Sequence, residues 1–241
     1  MSGQAGKRVL NLSASMTCMD PLHLGQTVTD LDAAGVSTYH IDVCDGRFAR
    51  TFLLYPGLLP YLRPATTARL DVHLYCVRPS LYLDEFIEGG TESIIVQLEA
   101  RESLVDLISR ITRRGVRAGL GILPGTPVPA ALKSILGSLS MVVANTVGPA
   151  YAGQPYDPRG LETIRKIRAL CDASGVSPEI AVDGSVSEER LESFFRAGAN
   201  HLVLGTSSVF KPGADWPGRF REFRAIAEES FQKFASPGGE G

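Results

Sequence analysis

Two histidines and three aspartates of this chain fall into a repeated arrangement. His40 and Asp42 lie two apart in 38-TYHIDV-43, and Asp71 and His73 lie two apart in 68-ARLDVHL-74. Residues two apart on a strand project to the same side, so each run carries an imidazole and a carboxylate on one face. Asp183 ends a third apolar run, 179-EIAVD-183. A lone histidine on an apolar strand is most simply a buried residue bonded to nearby backbone. Two of them, each beside an aspartate, describe something else: a mixed nitrogen and oxygen donor set. Taking the positions nearest the strand ends, His40, Asp42, His73 and Asp183 form a set suited to Zn²⁺, Mn²⁺ or Fe²⁺. Unpartnered buried carboxylates are costly, so three near one point imply a cation or charged partners.

Glycines with small hydroxyl residues form a second constellation, in 148-GPAYAGQ-154, 183-DGS-185 and 205-GTSS-208. Each alone is ordinary turn chemistry. Three in succession beside a candidate metal site suggest a phosphate cradle of backbone N–H groups.

The elements that must position these residues follow from the hydrophobic pattern. Eight short apolar runs recur, beginning at residues 9, 38, 68, 93, 117, 141, 179 and 201, with amphipathic segments between them. Segment 157–175 draws an apolar stripe of Leu161, Ile164, Ile167 and Leu170; segment 187–198 has Ser187 as its expected N-cap. Segment 216–234 reads as a closing helix with Phe220, Phe223, Ile226 and Ala227 turned inward. Glycines 35, 90, 115, 175 and 198 close helical segments just before strands. Eight strands alternating with about eight helices point to an α/β protein with a single (β/α)₈ TIM barrel over residues 9–234, flanked by flexible ends at 1–8 and 235–241. Neither GxGxxG nor a Walker-type GxxxxGK occurs. In such a barrel the chemistry lies where strands end and loops begin; His201, opening the last strand, therefore belongs to the opposite, stability face.

The formal net charge of −2 carries no broad basic footprint, so no nucleic-acid partner is expected. No run of 18 apolar residues occurs and the first residues lack a signal-peptide core, so no membrane association is expected. The cysteines at 18, 44, 76 and 171 form no CxxC pair, which fits a reducing cytoplasm.

These residues resemble the ribulose-phosphate 3-epimerase family over about residues 9–212. The family's H-x-D-x-M-D-G appears as 40-HIDVCDG-46, its D-V-H-L-M as 71-DVHLY-75, and its V-x-P-G-x-x-G-Q as 147-VGPAYAGQ-154. Its V-D-G-G appears as 182-VDGS-185 and its G-S-A-I-F as 205-GTSSVF-210, and Ser13 stands for its first-strand serine. The resemblance implies that His40, Asp42, His73 and Asp183 hold one divalent metal ion per subunit (Zn, Fe or Mn), with Asp42 and Asp183 also the catalytic acid/base pair. It implies a small sugar phosphate as substrate, bound by Ser13, Cys44, Tyr75, Asn145, Gly153, Gly184, Ser185, Gly205 and Thr206, and a homo-oligomer built on dimers.

The departures matter too. Cys44, Tyr75 and Asn145 stand where the family places three methionines around the reacting carbons. Cys18 replaces its first-loop aspartate, Gln97 its strand-4 histidine, and Arg50-Thr51 its Pro-Asn. The expected metal set is complete while the cavity lining is rewritten, which favours an altered ketose phosphate over simple drift. A related class, the phosphate-binding decarboxylases with Asp-x-Lys-x-x-Asp on the third strand, is disfavoured because 71-DVHLYC-76 has no lysine. A non-catalytic sugar-phosphate binder would not need two opposed carboxylates.

Overall fold

A computed structural model describes residues 8–149 and 152–234. Eight parallel strands close into a barrel in chain order: β1 (Asn11–Ser15), β2 (Thr38–Cys44), β3 (Arg69–Tyr75), β4 (Ser93–Gln97), β5 (Arg117–Ile122), β6 (Met141–Asn145), β7 (Glu179–Asp183) and β8 (His201–Leu204), with β8 paired back to β1. This is a closed (β/α)₈ barrel. Around it lie α1 (Leu24–Ala33), α2 (Leu59–Leu62), α3 (Leu83–Glu88), α4 (Leu104–Arg113), α5 (Arg159–Ser174), α6 (Glu188–Ala197) and α7 (Trp216–Gln232).

Seven α-helices are thus present among the described residues where about eight are expected. Between β5 and β6 the chain makes two 3₁₀ turns, Ala130–Ser134 and Leu136–Ser138. Buried Leu132 and Leu136 pin this connection to the barrel, and Gly137 in the second turn disfavours a continuous helix. The helix expected at 157–175 runs from Arg159 to Ser174 and stops at Gly175, which takes φ 65°. Ser187 has the extended backbone of an N-cap, yet its hydroxyl accepts a bond from the Arg190 side chain (2.8 Å) rather than from the helix backbone. The closing helix buries Phe220, Phe223 and Ala227 as expected. The expected flexible ends lie outside the described residues, except that Arg8 donates to the Phe234 carbonyl at 2.6 Å. No described helix is long and apolar enough to cross a membrane.

Strand residues facing outward, such as Ile94, Val96, Val142 and Val182, pack with helix residues such as Leu107, Ile111, Ile164 and Phe194 in the main core. Fully burying each such side chain stabilises the fold by about 1.5–3 kcal/mol. Inward-facing residues build a different stack, and β7 shows it in three positions: Glu179, Ala181, Asp183. The middle is an apolar plug of Ile95, Met141, Val143 and Ala181, separate from the main core. At the strand starts is a polar layer. There His201 joins Glu179 (Nδ1 to Oε2, 2.6 Å) to Ser13 (Nε2 to Oγ, 3.0 Å). Ser93 donates to Asp71 at 2.5 Å, and Arg117 lies 3.4 Å from Asp71 and 3.7 Å from Glu179. His201 accordingly lies on the stability face. A second polar layer lies at the strand ends.

Candidate active site

Strand register assembles the upper layer. Ser15 pairs with His40, Asp42 with His73, and Asn145 with Asp183. His40, Asp42, His73 and Asp183 each offer a ligand atom, and the four atoms lie within 4.8 Å of one another. His40 Nε2 is 3.2 Å from Asp42 Oδ1 and 3.1 Å from His73 Nδ1; His73 Nδ1 is 3.8 Å from Asp183 Oδ2. The set expected from the sequence is therefore brought together.

These residues fit a divalent cation on the structure's own terms. Asp42 Oδ1 is buried and, among the described residues, makes no hydrogen bond, although it faces both imidazoles. An orphaned carboxylate oxygen inside a two-histidine, two-aspartate donor set is what a cation would satisfy.

Electrostatics within the set point the same way. Burial, the largest influence on His40, disfavours its charge, but Asp42, with Asp183 and Asp71, outweighs burial and lifts His40 to about 9. Burial also works against the Asp42 charge, and His40, helped by the Thr17 hydroxyl, overcomes it to hold Asp42 below the usual carboxylate range. Burial and then the neighbouring His40 charge lower His73 to about 3, leaving it neutral. Burial and the Asp42 charge raise Asp183 to about 6. Without a cation, then, one imidazolium must serve as counter-charge to the carboxylates.

Neighbouring side chains orient the set. Gln97 is 2.9 Å from His73 Nε2. Its carbonyl is assigned to that side, because its amide then donates to Glu99 (3.0 Å) and to the Gly121 carbonyl (2.9 Å). The opposite orientation gives Asn145 Oδ1 a donor at 3.1 Å but sets the Gln97 oxygen against two acceptors. In the adopted orientation His73 donates from Nε2 and keeps its Nδ1 lone pair toward the cluster. Gly121 is required here: a Cβ would come within 2.6 Å of His73 Nε2 and 2.8 Å of the Gln97 side-chain amide.

Above the cluster opens one cleft of about 620 Å³ of space not filled by protein. Asp42, Asp183 and Tyr75 line its floor and wall, and Gly153, Gly184, Ser185, Gly205 and Thr206 all reach it. The three glycine loops thus converge as expected. Gly184 takes φ 100°, and a Cβ there would strike Val147. Ser185 takes φ 46°, the one positive value for a non-glycine among the described residues.

Three expected substrate contacts are placed elsewhere. Ser13 lies in the lower polar layer on His201. Its neighbour on the same strand side, Ser15, reaches the site instead and donates to Asp42 Oδ2 at 3.3 Å. Cys44 is buried among Phe48, Ala49, Leu53 and Leu123 with Tyr75. Asn145 is buried behind the wall, where its amide donates to the Tyr75 hydroxyl (2.6 Å) and to Asp183 Oδ2 (3.0 Å). Thr17, which donates to Asp42 Oδ2 at 3.1 Å, comes from a 3₁₀ turn after β1, Met16–Cys18, and carries no sequence signal of its role.

Comparison with known proteins gives a consistent result. Residues 11–210 match the model of the ribulose-phosphate 3 epimerase family. The chain is 34% identical over 201 residues to the ribulose-phosphate 3-epimerase of Synechocystis sp., a match covering 83% of this chain and 86% of that protein. It is 32% identical to the Bacillus subtilis ribulose-phosphate 3-epimerase, covering 83% and 92%. The solved structure of 3-keto-L-gulonate-6-phosphate decarboxylase from Vibrio cholerae aligns with a TM-score of 0.64 at 13% identity, covering 95% of this chain and 100% of that one, a likeness of fold.

Proposed function

The chain belongs to the ribulose-phosphate 3-epimerase family, an isomerase family acting on carbohydrates, and we propose that it inverts C3 of a ketose phosphate by two-carboxylate proton transfer. One observation carries this reading: Asp42 and Asp183, from β2 and β7, meet at the floor of a cleft whose rim is built of glycine and hydroxyl loops.

The proton on C3 of a 2-ketose phosphate is acidified by the adjacent C2 carbonyl. One carboxylate removes it from one face and the other returns a proton to the opposite face, the roles exchanging with direction. His40, Asp42, His73 and Asp183 would hold one divalent ion, Zn, Fe or Mn. When bound, the ion supplies positive charge to the oxygens of the developing enediolate. Ser15 and Thr17 hold Asp42, and Tyr75 and Asn145 hold Asp183. No lysine or arginine lines the cleft among the described residues, so the phosphate falls to the amides and hydroxyls around Gly153, Gly184, Ser185, Gly205 and Thr206. The family resemblance supports a homo-oligomer built on dimers, the four scattered cysteines support a reducing, cytoplasmic location, and we assign one catalytic domain to 9–234.

A second reading keeps this chemistry and changes the sugar. The Tyr75 ring in the cleft wall favours it, because a phenol and its polar partner replace a soft apolar surface. Deuterium wash-in at C3 from D₂O, across a panel of ketose phosphates and with metal content measured alongside, tests both. Efficient exchange with ribulose 5-phosphate supports the first reading, and poor exchange there with faster exchange on another ketose phosphate supports the second. Absence of exchange with every member by metal-loaded protein refutes the epimerase.

A further inference from the structure

Asp42 and Asp183 are held by separate devices. On Asp42, Oδ2 accepts from two hydroxyls at the end of β1, Ser15 (3.3 Å) and Thr17 (3.1 Å). On Asp183, Oδ2 accepts from the Tyr75 hydroxyl of β3 (2.9 Å) and the Asn145 amide of β6 (3.0 Å). Neither donor of one pair touches the other carboxylate within hydrogen-bonding distance. Each carboxylate therefore has one oxygen fixed from two directions by neutral donors, which sets its rotation and leaves the other oxygen unclaimed by that pair.

Tyr75 itself is fully determined. Its ring is tilted on His73 with centroids 4.2 Å apart and packs with Cys44 and Phe48. Its oxygen accepts from Asn145 at 2.6 Å, so its single hydroxyl hydrogen is directed to Asp183. A residue needed only to fill the wall would need no hydroxyl.

We propose that Tyr75 is a positioning residue for Asp183, orienting that carboxylate for proton transfer on one face of the substrate only. This rests on the epimerase reading above. It also alters the meaning of the residue: Tyr75 acts through Asp183, and Asn145 acts through Tyr75 and Asp183, instead of either selecting the sugar by direct contact.

The asymmetry is measurable. The equilibrium constant obliges kcat/KM to fall equally in the two directions, so the asymmetry must appear in isotope effects. The metal-loaded, full-length Tyr75→Phe protein is assayed with both members of the epimer pair that the wild-type enzyme interconverts, unlabelled and deuterated at C3. Loss of the orienting hydroxyl should lower kcat/KM about tenfold, with bound metal per subunit unchanged. Slowing only the Asp183 step should raise the primary deuterium effect on kcat/KM in the direction where Asp183 takes the C3 proton. In the opposite direction the effect should fall towards unity, because removal by Asp42 becomes reversible before Asp183 delivers its proton. Thr17→Val, which loosens Asp42, should move the two isotope effects the opposite way. Tyr75→Met, a second variant lacking the hydroxyl, should reproduce the Tyr75→Phe split and is read in its place if that protein does not fold. Isotope effects that stay unchanged, or shift alike in both directions, overturn the proposal. A wild-type protein that exchanges no C3 proton overturns the epimerase reading instead.

Discussion

The barrel interior holds two polar layers separated by Ile95, Met141, Val143 and Ala181, and they resolve the same problem differently. The lower layer sets buried Asp71 and half-buried Glu179 beside basic groups supplied by the chain: Arg117 reaches both, and His201 closes on Glu179. The upper layer holds buried Asp42 and half-buried Asp183 with two imidazoles and no guanidinium or ammonium among the cleft's described residues. Among the described residues it leaves Asp42 Oδ1 without a hydrogen bond, and it opens onto a cleft. Asp71 also has one unpartnered buried oxygen, but its charge is met by Arg117, while the upper layer must take its positive charge from a proton on His40 or from a bound ion. A buried polar cluster thus reads as structure when the chain balances it internally, and as a site when balance is left to a ligand.

The sharpest way to break this contrast is to remove one carboxylate from each layer. Asp42→Asn or Asp183→Asn should lower C3 exchange by about 10³-fold or more, since a positioned acid or base contributes 10²–10⁴-fold and a metal ligand is lost with it. Metal-free Asp42→Asn should melt no more than about 3 °C below the metal-free wild type, roughly a 1 kcal/mol change for this size, because His40, whose charge depends on Asp42, sheds its proton once that carboxylate is gone. Added Zn²⁺ or Mn²⁺ should raise the melting temperature of the wild type and not of the variant. A variant that kept full exchange would remove Asp42 from the acid/base pair.

Glu179→Gln, in the lower layer, should do the reverse: destabilise by about 2 kcal/mol, the scale of a hydrogen bond to a charged group, and leave exchange per folded molecule intact. Its pH dependence has a definite sign. Burial tends to raise the Glu179 pKa, but His201, Arg117 and Arg69 outweigh it and hold the folded-state value below the ordinary 4.5. The stabilisation is therefore fully present above about pH 4.5 and is lost as pH falls through the folded value. Urea unfolding of wild type and variant should differ most near neutral pH and converge in acid; a gap that widened in acid would contradict the assignment.

The smallest effect concerns the rim. Ser185 holds a left-handed conformation at φ 46°, which is unfavourable by about 1–2 kcal/mol for a side-chain-bearing residue, and its hydroxyl donates to the Gln154 carbonyl at 3.3 Å. Ser185→Gly relieves the strain but loses that bond and adds unfolded-chain freedom, so stability should change by less than about 1 kcal/mol. A loss above about 2 kcal/mol in urea unfolding would make Ser185 a structural residue of the lower layer's kind.

Much of this is legible in the amino-acid sequence. The eight strand runs are short, apolar and punctuated by glycine, so their existence follows from local pattern. Same-side parity made His40 with Asp42, and Asp71 with His73, recognisable as pairs. Parity does not reveal depth, however. Ser13 and Ser15 share a side of β1, yet only Ser15 reaches Asp42, while Ser13 joins His201 below. Asp71 and His73 likewise share a side and fall into different layers. The contact between Tyr75 and Asp183 spans 108 residues of chain, and nothing local to either residue announces it.

By itself the amino-acid sequence determined which residues form strands, which strand faces are polar, and which side chains have the chemistry to hold a cation or carry a proton. These are consequences of periods two and 3.6 and of functional-group identity, which need no partner strand. Only the closed barrel decided which polar residue of each strand stands in the upper layer, and which neighbours clamp each carboxylate. Strand tilt and stagger on closure set the height of every inward side chain relative to the other strands, and that height is a property of all eight strands together.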